Sequence, residues 1–286
     1  MNSKNIKRHL NNKLNDWLDS ITDEAVKTVI RKNAIITGGA IVSLLTGDKV
    51  KDYDVYFKDK NALKMVCEYY TNIWNKAHPD ETEAKVKEDD ERIKVFIQSV
   101  GVAGENPECD EEEPAEEIKE TKSSKKDEKY RPIFFTSNAI TLSDKIQIVV
   151  RFYGDVAEIH KNYDYVHCTC AWSSWDNELS LPSKALECII NKELIYTGSK
   201  YPLCSIFRAR KYINRGYTIN AGQYVKMVMQ LNDMNLKDIE VLSDQLMGVD
   251  SGYFSMLIRA IEEQKERDSD FELDADYVID LVNRIF

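Results

Sequence analysis

The chain has 286 residues, of which 43% are hydrophobic and 31% are charged, a composition typical of a globular protein with room for one large or two modest domains. No segment approaches the roughly 18 consecutive apolar residues of a membrane helix, and the N-terminal residues lack the apolar core of a signal peptide, so we expect a cytoplasmic protein without membrane contact. Six cysteines without a framework spacing are typical of free thiols in a reducing compartment.

The net charge of −10 is concentrated in one segment. Residues 80–129 contain 18 acidic and 9 basic residues, a net charge of −9, and the rest of the chain is therefore nearly balanced. For this reason the net charge of the whole chain does not indicate which kind of partner it binds. Local charged patches are the relevant evidence. High charge and low complexity predict that most of the segment from about 79 to 129 is a disordered surface insertion.

The N-terminal third of the chain is predicted to mix helices and strands. Residues 4–32 indicate two helices, because Leu10, Leu14 and Trp17 recur at the spacing of one helical face. The elements predicted to follow are a buried strand at 33–37, a helix at 39–45, a strand at 52–57 and an amphipathic helix at 61–74.

After the acidic segment the pattern first favours strands and then helices. Two strands are predicted within 130–154, a short helix at 155–162 and a further strand at 163–172. From residue 201 onward nearly every segment has helical periodicity. We therefore predict an α+β fold with N-terminal helices at 1–33, a sheet domain at 34–180 that carries the insertion, and a helical C-terminal domain at 181–286.

Two aspartates, Asp52 and Asp54, are separated by one residue in the predicted strand at 52–57. Alternate side chains of a strand share one face, so the two carboxylates would repel each other unless a cation lies between them. Mg²⁺ prefers oxygen ligands and completes its shell with substrate phosphates. The turn at Gly38 and Gly39, before the helix at 39–45, lies where an anion could meet a helix N-terminus. A structural alternative is that the aspartates are ordinary strand-edge residues and the glycines only turn the chain.

The stretch "GGAIVSLLTGDKVKDYDVYF" resembles the nucleotidyltransferases of the DNA polymerase beta superfamily, especially the head domain of tRNA CCA-adding enzymes and bacterial poly(A) polymerases. Their pattern is Gly-Gly, a short helix ending in Leu-Gly, and Asp-x-Asp. The departure from it is Val42-Ser43, where CCA-adding enzymes usually carry Arg-Asp. The positions that match the pattern are Gly38, Gly39, Leu45, Gly47, Asp52 and Asp54.

This resemblance implies a site and its cofactor. Asp52 and Asp54 would bind two Mg²⁺ ions, with Mn²⁺ as an alternative, while Gly38, Gly39 and Ser43 would contact the triphosphate. The superfamily also has a third acidic residue on a later strand. The best candidate for it is Asp164, at the start of the predicted strand at 163–172, and the alternatives are Asp155 and Glu158.

A second stretch, "YPLCSIFRARKYINRGYTI" at 201–219, partly resembles the segment that follows the head of CCA-adding enzymes. Two arginines of that family fall on Cys204 and Phe207, so base selection does not carry over. Independently of the resemblance, helical spacing lines basic side chains along one face, suited to a triphosphate or a nucleic-acid backbone. The alternative is a solvated basic face or partners for the acidic insertion. Arg208, Lys211 and Arg215 have the spacing of that face, and Arg210 joins them in a basic stripe.

The resemblance, together with these patterns, implies a metal-dependent nucleotidyltransferase that transfers a nucleoside monophosphate from an NTP to a hydroxyl and releases pyrophosphate. The acceptor could be an RNA 3′ end, a protein or a small molecule. The alternative function is a catalytically inactive nucleotidyltransferase-like module that binds a partner. The Lys-, Asn- and Tyr-rich composition resembles bacteriophage-encoded nucleotidyltransferases, which implies the host cytoplasm as the location. The oligomeric state is left open.

Overall fold

The computed structural model describes residues 1–79, 83–88, 92–97, 129–136 and 138–246, with single positions between 261 and 280. The chain divides into two compact units, one formed by the described residues before Lys192 and one by those from Lys192 onward. Most of the predicted acidic insertion, and most of the chain after residue 246 that was predicted to be helical, lie outside the described residues. Within the described part of the chain, no helix combines the length and the apolar character needed to cross a membrane.

The first unit begins with two helices, α1 (Ser3–Ser20) and α2 (Glu24–Asn33). Asn2 caps α1 by accepting a hydrogen bond from the backbone N–H of Asn5. Asp23 caps α2 by accepting hydrogen bonds from the N–H groups of Ala25 and Val26. The apolar stripe of α1 is buried as its spacing predicts, and its members are Ile6, Leu10, Leu14, Trp17 and Leu18.

The centre of the first unit is a mixed sheet of seven strands in the order β5-β6-β7-β2-β1-β8-β9, counted over the described residues. β2 pairs in parallel with β7, and the other neighbours in this sheet pair antiparallel. The strands are β1 (Ala34–Thr37), β2 (Tyr53–Phe57), β5 (Pro132–Phe135), β6 (Ala139–Leu142), β7 (Ile146–Tyr153), β8 (Ala171–Ser173) and β9 (Leu179–Ser180).

Two further strands, β3 (Ala84–Glu88) and β4 (Ile93–Ile97), form an antiparallel pair of their own. β3 lies in the segment predicted to be disordered, and that prediction is wrong for these residues. The reason is packing: Ala84, Ile93 and Val95 are buried, so charged neighbours alternate with side chains that join the core.

The two faces of the sheet in the first unit are covered by apolar clusters of different size. The main core, on one face, includes side chains of α1, α2, α3 (Gly39–Thr46), α4 (Lys60–Ala77) and α6 (Ser183–Asn191). A smaller cluster on the other face combines Ile35 and Tyr56 with Ile159 of α5 (Val156–His160). This second face carries the candidate site.

The strand predicted at 163–172 is wrong over most of its length. Residues Val166–Cys168 form a 3₁₀ turn, and the strand β8 begins only at Ala171. The backbone there is satisfied locally, since the N–H of Cys168 donates to Tyr165 and that of Thr169 donates to Val166. Alternating apolar and polar residues therefore do not make a strand here, because turn hydrogen bonds replace the ladder.

The second unit is mainly helical in its described part. It contains α7 (Pro202–Ile213), α8 (Ala221–Asn232) and α9 (Ile239–Leu246). Two short strands, β10 (Glu193–Leu194) and β11 (Thr218–Ile219), pair in parallel within it. With a central sheet in the first unit and helices dominating the second, the predicted α+β fold class is confirmed.

Candidate active site

The turn between β1 and α3 is built around Gly38. This residue has φ +80° and ψ −138°, a backbone conformation that residues with a Cβ rarely adopt. A methyl group at Gly38 would lie 3.4 Å from Tyr163 Oη and 3.7 Å from Asp54 Oδ2. The glycine thus lets the backbone pass close to a carboxylate and a phenol that come from distant parts of the chain.

The N-terminus of α3 is open at Gly39. No side chain caps this helix at Gly38. Apart from the adjoining residues and the backbone of α3 itself, no described atom lies within 4 Å of the place that a Cβ of Gly39 would occupy. The first N–H groups of a helix carry a partial positive charge and have no partner inside the helix. This end of α3 has the donors and the partial charge that an anion requires, and the phosphate contact of the two glycines stays a prediction.

Asp54 lies at the second position of β2, between two neighbouring strands. Its cross-strand partners are Thr37 of β1 and Gln147 of β7. The burial alternation of β2 puts Tyr53 and Val55 in the main core, so Asp54 faces the other side of the sheet. Its side chain is half-buried there, on the same face as the smaller cluster.

Asp52 lies one residue before β2 and is exposed. The strand that was predicted to begin at Asp52 begins at Tyr53, so Asp54 has a ladder position and Asp52 has none. Asp52 therefore lies closer to solvent than Asp54, although the two remain neighbours in the chain.

Thr37 links the site to α5 through a chain of side-chain hydrogen bonds. Its Oγ1 donates to the carbonyl of Cys170 at 2.8 Å and lies 2.8 Å from Nε2 of His160. Since the Thr37 proton is used for Cys170, His160 donates from Nε2 in this arrangement. Tyr163 also hydrogen-bonds to Thr37, and its ring lies 5.0 Å from the His160 ring.

The protonation of this network follows from its burial. Burial lowers the pKa of His160 from 6.5 to about 4, so the ring is neutral near pH 7 and does not act on the end of α5 as a cation. Burial raises the pKa of Tyr163 well above 10, and the neighbouring Tyr56 and Asp54 side chains add to this shift. The Tyr163 phenol therefore remains a hydrogen-bond donor beside the Asp54 carboxylate.

The structure places the other predicted residues as follows. Ser43 lies one helical turn after Gly39 and is half-buried, with its carbonyl bonded to the N–H groups of Gly47 and Asp48. Asp164 is buried in the bend that precedes the 3₁₀ turn, next to Tyr163 in the chain. Asp155 and Glu158 cap the start of α5 in a reciprocal capping box.

The predicted basic residues belong to the second unit. Arg208, Arg210 and Lys211 lie on α7, and Arg215 lies in the turn after the helix ends at Ile213. The expected single helical face therefore does not extend to Arg215. A role of these residues with a nucleotide stays a prediction.

Over the part of the chain that the structure describes, no three His, Cys, Asp or Glu side chains form a group that could hold a metal ion. Asp52, Asp54 and Asp164 are thus not gathered into a three-carboxylate cluster. The two-carboxylate site of Asp52 and Asp54, and the role of Asp164, stay predictions.

The predictions from sequence do not include three residues of the site: Thr37, Gln147 and Tyr163. The signal for Thr37 and Gln147 is a polar residue at one end of an otherwise apolar strand, in "AIIT" and "IQIVV". Their nearness to Asp54 follows only from the strand register. Nothing in the local pattern indicates that Tyr163 reaches the glycine turn.

Three solved structures of CCA-adding enzymes were compared with the chain as a whole. The chain is similar to a Thermotoga maritima CCA-adding enzyme complexed with tRNA, with 13% identity and a TM-score of 0.40 over 94% of this chain and 58% of the enzyme. A Bacillus stearothermophilus CCA-adding enzyme in complex with CTP is 11% identical, with a TM-score of 0.35 over 82% and 50% of the two chains. A further CCA-adding enzyme with CTP has 12% identity and a TM-score of 0.41, over 93% and 57%.

Sequence comparison identifies a family. The chain is 23% identical over 261 residues to "Gabija anti-defense 2" of Bacillus phage SPbetaL7, which covers 91% of this chain and 52% of that protein. The chain thus spans about half the length of this curated relative. Residues 8–192 match the family described as "Gabija anti-defense 2 family protein". Because this match includes most of the chain, the chain belongs to the Gabija anti-defense 2 family.

Proposed function

We propose that the chain is a metal-dependent nucleotidyltransferase, which transfers a nucleoside monophosphate from an NTP to a hydroxyl, and that this transfer serves the anti-defense role for which its family is named. The observation that supports the proposal most is the position of the Asp54 carboxylate, 3.7 Å from where a Cβ of Gly38 would lie, beside the open N-terminus of α3. An anion site and a carboxylate side by side suit a polyphosphate bound through a cation.

In this proposal the triphosphate lies at the N-terminus of α3. The open space at Gly39 admits a phosphate group, and the helix N–H groups supply hydrogen-bond donors and partial positive charge. A side chain at either glycine would narrow this approach. The two glycines therefore have separate roles. Gly38 allows the backbone to turn, and the missing side chain of Gly39 leaves space for a phosphate group.

The oxygen donors at this turn fit Mg²⁺ or Mn²⁺. A carboxylate beside a phosphate site repels the substrate, and Asp54 with the exposed Asp52 would hold a divalent ion that removes this repulsion. Such an ion, when bound, neutralises charge on the transferring phosphoryl group. Substrate phosphates and water complete the shell, as is usual for Mg²⁺ in proteins.

The reaction itself is an in-line displacement at the α-phosphorus. The acceptor oxygen forms a bond to that phosphorus, the bond from phosphorus to the bridging oxygen breaks, and pyrophosphate leaves with the electron pair. The proton of the acceptor hydroxyl passes to the carboxylate of Asp52, the exposed member of the pair, and from there to water.

Tyr163, Thr37 and His160 would position Asp54 in this reaction. Tyr163 stays protonated beside the carboxylate, and its phenol is held by Thr37, which is in turn bonded to His160. A neutral, hydrogen-bonded network of this kind restricts the orientation of the carboxylate without neutralising it. We do not expect His160 itself to exchange protons with the substrate.

The experiment uses the purified full chain with each of the four labelled NTPs and Mg²⁺ or Mn²⁺. The acceptor arms are bulk RNA, the proteins of a Gabija system, and the chain alone, so that the acceptor class is read from the labelled product. We expect label transfer with at least one acceptor. Asp54→Asn should lower the rate by about 10³-fold or more, because it removes a charged ligand. Asp19→Asn, which removes an exposed carboxylate from the end of α1, is the matched control and should leave the rate unchanged.

The negative result is equally clear. If no NTP labels any acceptor and no NTP binds in a metal-dependent manner, the chain is not a nucleotidyltransferase, and the inactive binding module becomes the better account. Transfer that persists in Asp54→Asn would instead place the chemistry elsewhere in the chain.

A further inference from the structure

A second polar site lies along the outer face of α1. The helix buries one stripe of apolar side chains in the core, so its helical period turns the polar positions to the outside. There they line an open cleft together with one residue from the connection between β8 and β9. The cleft is lined by Lys4, Lys7, Arg8, Asn11, Asn12, Asn15 and Asn177.

The lining of this cleft is unusual in its chemistry. It has three cations and four amides, and no acidic side chain. Across the described part of the chain, Lys4, Lys7 and Arg8 form no salt bridge, and Arg8 only donates to the amide oxygen of Asn5 at 3.2 Å. By contrast, Lys27 of α2 is paired with Glu24 at 2.7 Å. The charge of the cleft is therefore available to a partner.

Asn177 fixes one wall of the cleft. Its backbone has φ +54°, and its Oδ1 accepts a hydrogen bond from the buried indole of Trp172 at 2.8 Å. The amide NH₂ group of Asn177 can still donate two hydrogen bonds. The surface is consequently rich in hydrogen-bond donors, some charged and some neutral.

We propose that this cleft binds the phosphodiester backbone of a nucleic acid. Lysine and arginine neutralise phosphates, while asparagine donates to phosphate and sugar oxygens. Lys4 and Asn15 are eleven positions apart, a length of about 16 Å along a helix, which matches about five nucleotides of a duplex strand. The net charge of −10 does not oppose this, because −9 of it belongs to residues 80–129.

The cleft is distinct from the candidate active site. α1 packs against the main core on one face of the sheet, whereas Thr37, Asp54 and Tyr163 lie toward the other face. Binding at the cleft therefore does not depend on nucleotide transfer, and it can be measured in the Asp54→Asn variant as well. Loss of one property without the other separates the two proposals.

The test is the salt dependence of binding to labelled 20-nucleotide probes, measured by fluorescence anisotropy. Single-stranded and double-stranded DNA and RNA form four arms. Three ionic contacts predict that affinity falls about 20-fold for a single strand and about 40-fold for a duplex between 50 and 200 mM salt. The triple variant Lys4→Gln, Lys7→Gln, Arg8→Gln should lose most of this salt dependence and weaken binding about 10-fold or more at 50 mM.

A matched control removes the same charge from another place. The triple variant Arg31→Gln, Lys32→Gln, Lys49→Gln neutralises three exposed cations outside the cleft and should bind nearly as the parent chain does. A second cleft variant, Asn11→Ala with Asn15→Ala, should weaken binding while keeping the salt slope, because it removes neutral donors only. Both sets alter partly or fully exposed positions, and circular dichroism should show unchanged helix content.

Several results would overturn the proposal. These are the absence of binding to all four probes at 50 mM salt, an equal loss of affinity in the cleft and control triple variants, or a salt slope that the cleft variant does not change. Competition by poly-glutamate as effective as that by RNA at equal charge would replace the nucleic acid with an acidic polypeptide as the occupant.

Discussion

Gly38 and Gly39 are adjacent, yet alanine at the two positions is expected to shift the stability of the first unit in opposite directions. At Gly38 the backbone has φ +80°, where an L-residue is strained by about 1–3 kcal/mol. The added methyl group would also contact Tyr163 Oη at 3.4 Å, which leaves little room to relax. Gly38→Ala should therefore lower the free energy of unfolding by about 1–3 kcal/mol.

At Gly39 the added methyl group meets open space, and the residue is the first of α3. Alanine restricts the unfolded chain more than glycine does, so Gly39→Ala should raise the free energy of unfolding by up to about 1 kcal/mol. The same methyl group would stand where the phosphates are proposed to lie. Gly39→Ala should thus be more stable and yet weaker in NTP binding.

Tryptophan fluorescence during urea unfolding measures this difference. All four tryptophans, Trp17, Trp74, Trp172 and Trp175, precede Lys192, so their emission reports on the first unit. With a slope of about 2 kcal/mol per molar urea, a loss of 2 kcal/mol lowers the midpoint by about 1 M. If Gly38→Ala unfolds at the parent midpoint, or if both variants lose the same stability, the left-handed turn is not what requires glycine here.

Two further predictions concern the same unit. Tyr70→Phe should lower the free energy of unfolding by about 1–3 kcal/mol, because it removes the buried hydroxyl that accepts the hydrogen bond of the Trp17 indole at 2.6 Å. Tyr69→Phe is the control and should cost less, since the Tyr69 hydroxyl accepts its hydrogen bond from the N–H of Thr22 at an exposed position. Equal losses of the two variants in urea melts would contradict this. Since burial lowers the pKa of His160 from 6.5 to about 4, the unfolded chain binds the proton more readily, so stability should fall by at most about 3 kcal/mol as the pH drops from 6.5 to 4. His160→Gln should flatten this decline in melts at several pH values, and an unchanged pH dependence would show that another group is responsible.

The parts of the fold that follow from local patterns were predictable. The spacing of Leu10, Leu14 and Trp17 indicated α1, and these side chains are buried as expected. The Gly-Gly turn between a short apolar strand and a short helix was also found where the sequence suggested, since φ +80° at Gly38 is a local property of the backbone.

Predictions failed where a local pattern is compatible with two structures. The alternation in "YDYVHCTCAW" reads as a strand, but hydrogen bonds between residues three apart turn the chain at Val166–Cys168. β3 is the opposite case, since a charged segment forms a strand there. It does so because it pairs with β4, whose Ile93 and Val95 side chains are buried. In both cases a contact that the sequence pattern does not specify decided between the alternatives.

The sequence by itself determined the glycine turn, the aspartates beside it and the amphipathic helices, because each depends on backbone geometry or on spacing within a few residues. Only the tertiary structure decided which residues surround Asp54. Thr37 and Gln147 reach it through the register of β1 and β7, and Tyr163 reaches it from more than a hundred residues away. Strand register and long-range packing are set by how the whole unit buries its apolar surface, and no short stretch of sequence contains that information.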